Sequence, residues 1–123
     1  MRSDRERLRD ILEAIARINK YVAAGRTSFD ANELVQNWVV SHIQQIGEAC
    51  WGLSQRLKAK HPEVPWDEIV GMRHVLVHNY FEIDLGAVSV VLDKDLPVLK
   101  PQIEAILAEL DTPNLPTKPA GNV

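Results

Sequence analysis

The sequence predicts an all-α fold, an up-and-down bundle of four to five helices. Three observations predict it. Apolar residues recur every three to four positions through most of the chain. Leu, Ile, Val and Ala, rather than the three Trp, two Tyr and two Phe, supply most of its 46% hydrophobic content. The one run with strand propensity, Val88-Ser89-Val90-Val91-Leu92, finds no partner strand elsewhere in the chain.

Ser3 and Glu6 spell a capping box, after which Leu8, Ile11, Leu12, Ile15, Ile18 and Val22 keep a helical period until Gly25. Asp30 or Ser28 is expected to cap a second helix. In it Val35, Val39, His42, Ile46, Ala49, Leu53 and Leu57 repeat up to His61-Pro62, which makes about eight turns. Gly47 in its middle costs about 1 kcal/mol relative to alanine, so its expected use is to let another helix come close. Pro65 suits the first turn of a third helix, with Asp67 and Glu68 favourable at its positive end and Gly71 as a second close-approach point.

Asp84 is expected to cap a fourth segment, in which Leu85, Val88, Leu92, Leu99, Ile103, Ile106 and Leu110 are periodic and Pro97 and Pro101 interrupt. The reading is a short helix over 84–93, a break or kink, and a last helix starting near Asp95 with Pro97 in its first turn. Residues 1–110 thus form one helical domain, and residues 111–123, with three prolines and no period, a flexible tail.

With 123 residues the chain suffices for one domain with a real core. A net charge of −3 and a pI near 5.8 exclude the overall basic footprint of a protein that coats nucleic acid, though not a local patch that holds a few phosphates. The single Cys50 lies in an apolar helical pattern and reads as a small core residue in a reducing compartment. The N-terminus lacks a signal-peptide pattern and no apolar run is long enough to span a bilayer, so a soluble, cytoplasmic location without membrane attachment is expected.

The chemistry concentrates in Arg73-His74-Val75-Leu76-Val77-His78-Asn79-Tyr80. Ile69, Met72, Arg73, Leu76, Val77 and Tyr80 share one broad helical arc, so a guanidinium that cannot deprotonate stands among apolar residues. Burying it without a partner is expensive, and Arg73 is expected to line a cleft or meet an anion. His78 lies about 140° round from Arg73 on a regular helix, within reach of a shared ligand if the last turn frays. His74 and His78, four apart, are half of a metal site at most. No phosphate-binding glycine loop, nucleophile elbow or metal-binding cysteine pair is present.

An arginine can hold phosphate oxygens and stabilise the charge of a phosphoryl-transfer transition state. A histidine can take or give a proton near neutral pH. Together they suffice for metal-free RNA cleavage by the substrate's own 2′-hydroxyl. Spacing alone favours the plainer arrangement, in which Arg73 satisfies buried carbonyls and His78 is a polar helix end.

Arg73, His78 and Tyr80 match the Arg-x4-His-x-Tyr motif, and the chain resembles the HepT-like toxins of the HEPN superfamily of helical ribonucleases. The phrases Ile46-Gly47-Glu48-Ala49, Pro62-Glu63-Val64-Pro65-Trp66, Gly71-Met72-Arg73 and Asp95-Leu96-Pro97-Val98-Leu99-Lys100 follow the family's order across residues 4–110. The resemblance implies a HEPN-like helical bundle that dimerises, with Arg and His of both protomers facing one cleft. It implies Arg73 as the phosphate-binding residue and His78 as the general acid/base. His74 falls at a position usually polar in the superfamily, where it could orient Arg73 or substrate, and Glu48 could hold Arg73 from the neighbouring helix.

The resemblance also implies a metal-independent endoribonuclease toxin of a type VII toxin–antitoxin system. Its partner would be a minimal, MntA-like nucleotidyltransferase antitoxin that transfers AMP to Tyr80, in a larger hetero-oligomer with the toxin dimer. No cofactor is then expected for RNA cleavage, and ATP and Mg serve only the antitoxin. Added charge and bulk at Tyr80 would block RNA phosphate. The alternative is a noncatalytic helical subunit that docks such a nucleotidyltransferase and presents nucleotide or substrate to it. A plain helical interaction domain is the third reading.

Overall fold

The computed structural model describes residues 2–22, 27–75 and 83–111. Part of the chemically informative octapeptide, including His78 and Tyr80, lies outside them, as does the stretch read as a tail beyond residue 111. The helices are α1 (Asp4–Val22), α2 (Thr27–Ala31), α3 (Glu33–Gly52), α4 (Gln55–Lys60), α5 (Trp66–Val75), α6 (Leu85–Val90) and α7 (Leu96–Asp111), with one π-helical turn, Val91–Asp95, joining the last two. The described residues thus form the all-α bundle expected, with α1, α3, α5 and the α6–α7 rod as its principal members.

The capping box at Ser3 is made in both directions. Glu6 Oε1 accepts from Ser3 N at 2.8 Å and Ser3 Oγ from Glu6 N at 3.1 Å. The Ser3 amide holds the Glu6 carboxyl below its ordinary range, since it bonds the charged form. Along α1, Leu8, Ile11, Ala14, Ile15 and Ile18 are buried and recur at helical spacing, so one face enters the core.

The eight-turn second helix is instead three pieces. Asn32, not Asp30 or Ser28, caps α3: its extended backbone stops α2, and its side-chain oxygen accepts from Leu34 N at 2.9 Å and Val35 N at 3.3 Å. The second break falls at Leu53-Ser54, both extended. Ser54 Oγ accepts from Leu57 N at 3.1 Å, while Asp4 of α1 accepts from Ser54 N at 2.9 Å and from Ser54 Oγ at 2.6 Å. A serine that finds these partners stabilises the turn over the helix.

Asp84 caps α6 as expected, its Oδ1 accepting from Ala87 N at 3.0 Å. The chain from there to Asp111 shows no break: the Leu96 N–H reaches back five residues to Val91 O, closing a π turn. Pro97 follows directly, within the first turn of α7 as expected, and Pro101 is accommodated inside the helix. Proline has no N–H and crowds the carbonyl four residues back, and the wider turn immediately upstream relieves that crowding.

The core is continuous from Leu8 to Ile106, with α3 at its centre between α1 and α5, and α1 also packed on α7. Polar ties reinforce the layers. Trp38 Nε1 donates to Arg17 O at 3.0 Å, Arg5 Nη2 to Leu110 O at 2.7 Å, and Trp66 Nε1 to His61 O at 2.9 Å. Cys50 is fully buried, and burial pushes its thiol up to about 12. No helix among the described residues is long and apolar enough to cross a membrane.

Candidate active site

Arg73 lies in α5, two residues before the last described residue of that helix, Val75. Its stem lies across α3 at Gly47. A Cβ there would meet Arg73 Cγ at 2.7 Å, Ile69 O at 3.1 Å and Arg73 N at 3.3 Å, so the glycine permits this approach of the two helices. Gly47 therefore has the use expected of it. Gly71 does not: nothing lies within 4 Å of where its Cβ would be, so among the described residues no element approaches it closely.

One and four residues beyond Gly47, Glu48 and Trp51 flank the guanidinium. Glu48 Oε2 accepts from Arg73 Nη1 at 3.5 Å, and Arg73 Cζ lies 5.3 Å from the centroid of the Trp51 ring. The Arg73 side chain is 20% exposed against 62% for Glu48, so a largely sheltered cation faces a solvated carboxylate across a long bond. Arg73 Nε is buried and has no hydrogen-bond partner among the described residues. Such a group normally carries a penalty.

His74 is exposed on the next position of α5 and makes no hydrogen bond to Arg73 among the described residues. His78 and Tyr80 lie outside those residues. Trp51 escaped the sequence reading. Its signal was its place four residues after Gly47 and three after Glu48, on the same face of α3.

A polar groove of about 480 Å³ runs from this point between α1 and α3. Glu48 and Trp51 form its end beside Arg73, and His42 and Gln45 continue its α3 wall. His42 is 6% exposed, with its ring 4.3 Å from that of Trp38 and Nδ1 2.7 Å from Trp38 O. A carbonyl only accepts, so Nδ1 donates to it.

The family model for ribonuclease HepT-like proteins matches residues 11–106. The chain belongs to the HepT-like ribonuclease family. Among relatives of this HepT-like chain, a Methanocaldococcus jannaschii protein named "Gamma-glutamylcyclotransferase and putative RNase" is 37% identical over 105 residues, 85% of this chain and 47% of that protein. The chain thus spans about half the length of that relative. The "Probable ribonuclease HepT" of Thermococcus cleftensis is 33% identical over 106 residues, 85% of this chain and 96% of that one. A "Putative RNase" of M. jannaschii is 31% identical over 100 residues, 80% of this chain and 92% of the relative. No solved structure matches the HepT-like chain.

Proposed function

We propose that this HepT-like chain is a metal-independent endoribonuclease in which Arg73 binds the scissile phosphate and His78 is the general acid/base. The observation that carries the reading is the Arg73 guanidinium: sheltered, oriented by Glu48 and Trp51, and holding a buried Nε without a partner among the described residues. Family membership and the names of the relatives support RNA as the substrate. His78 removes the proton of the 2′-hydroxyl, the 2′-oxygen attacks phosphorus, and the bond to the 5′-oxygen breaks as that oxygen takes the proton from the His78 imidazolium. A 2′,3′-cyclic phosphate and a 5′-hydroxyl remain. Arg73 stabilises the charge that builds on the nonbridging oxygens.

The same reading makes the chain the toxin of a type VII toxin–antitoxin system, active as a homodimer. A cognate nucleotidyltransferase silences it: the Tyr80 oxygen attacks the α-phosphorus of ATP and pyrophosphate departs. The attached AMP adds negative charge and bulk beside the catalytic pair.

Expression of the chain alone, beside Arg73→Ala and His78→Ala versions, tests the activity. Growth arrest by the parent and growth with either variant is expected, and equal growth of all three sinks the nuclease. Cleavage of purified RNA in chelator, with cyclic phosphate ends, tests the metal-free route. Incubation with ATP, Mg and the antitoxin should add AMP to the parent and not to Tyr80→Phe.

A further inference from the structure

We propose that the groove between α1 and α3 is a nucleobase subsite that takes an unpaired, amino-bearing base next to the scissile phosphate and stacks it on Trp51. The inference rests on the ribonuclease reading and names the form in which substrate is recognised. Four features of the groove carry it.

Position is the first. Glu48 and Trp51 line the groove and also contact Arg73, so whatever fills it adjoins the phosphate that Arg73 would hold. The second is Trp51, an indole 61% exposed at the groove's end. An exposed aromatic beside a phosphate-binding arginine is the usual platform for a base of single-stranded RNA.

The third is an excess of acceptors. They stand beside His42, a nearly buried ring fixed by Trp38. Glu13 receives Arg17 through Oε2 alone and Glu48 receives Arg73 through Oε2 alone, which leaves each Oε1 without a partner among the described residues. Asp10 also lines the groove, with both oxygens accepting from Arg2. Two carboxylate oxygens left to accept favour a base edge that donates, such as the amino group of cytosine, over the carbonyl that uracil offers in its place.

The fourth is charge. Arg17 is spent on Glu13, and Arg7 lies across Gly52. With the carboxylates of Asp10, Glu13 and Glu48 opposite these two cations, the groove suits a neutral base better than a phosphate.

The test uses the full chain and two end-labelled oligonucleotides, 2′-O-methyl cytidylate and 2′-O-methyl uridylate. Neither has the 2′-hydroxyl needed for cleavage. Anisotropy should show the cytidylate bound several-fold more tightly. Trp51→Ala should weaken cytidylate binding by about tenfold, as loss of one base–aromatic stack does, while Trp51→Phe retains most of it. Tryptophan emission of the parent should be quenched by the cytidylate, which reads the stack without any substitution. Equal affinity for the two oligonucleotides, indifference to Trp51→Ala, or unquenched emission overturns the subsite. Cleavage of ordinary RNA, lost in Arg73→Ala, stands or falls separately: activity with no base preference sinks the subsite alone, and no activity in the parent sinks the nuclease.

Discussion

Gly47 and Arg73 are in such close contact that a methyl group on the glycine would lie 2.7 Å from the arginine's Cγ. The absence of a side chain on α3 therefore sets where the guanidinium of α5 stands. Gly47→Ala raises helix propensity by about 1 kcal/mol. Its clash with Ile69 O and Arg73 N, both backbone atoms, costs about 1–3 kcal/mol. The expected outcome is a lower urea midpoint together with weaker RNA cleavage. A variant as stable and as active as the parent would show that this contact positions nothing.

Arg73 and Glu48 should differ sharply in weight. Arg73→Ala is expected to lower cleavage by about 10²–10³-fold, the usual loss on removing one group that stabilises transition-state charge. Arg73→Lys should not restore it, because an ammonium lacks the guanidinium's fork. Glu48→Gln should cost less than about tenfold, since its bond is long and its side chain solvated. Rates on a defined RNA check the order.

Asn32→Ala removes the oxygen that receives two amides of α3, at a cost of about 1 kcal/mol. Thermal unfolding should report it. An unchanged transition would mean that packing alone starts α3.

Cys50 supplies an alkaline signature. With the folded thiol near 12 and the ordinary value at 9.0, the unfolded chain loses its proton first as pH rises. The native state then binds more protons than the unfolded one, so the thiol's contribution to stability is constant below about 9 and is lost between about 9 and 12, by up to about 1.4 kcal/mol per pH unit. Cys50→Ala should flatten that limb. At neutral pH the native thiol should resist a disulfide reagent and react once unfolded.

Much of the fold was legible where one side chain decides locally. Ser3 with Glu6 and Asp84 with Ala87 cap helices as their spelling implies. The run around Val90, β-prone in isolation, is helical because helices flank it. The break at Ser54 was hidden, since the apolar period runs through it from Leu53 to Leu57 and an outside partner, Asp4, helps decide it; Asn32 stood two residues past the expected cap at Asp30, ahead of the first periodic residue, Val35. In the site, Arg73 and Glu48 were legible as chemistry. Trp51 was not, because its role depends on the angle at which α5 crosses α3.

The π turn before Pro97 has a consequence for the chain's tolerance of length change. Val91 and Leu96 are both buried although five residues apart, and on a regular α-helix that spacing would set them about 140° apart. The extra residue resets the rod's angular phase, so that Val88 and Val91 upstream and Leu99, Ile103 and Ile106 downstream share one core. Deleting a single residue from 91–95 would close the π turn to an ordinary α turn and leave Val91 and Leu96 four apart on one face, whereas the same deletion within α7 would rotate everything beyond it by about 100°.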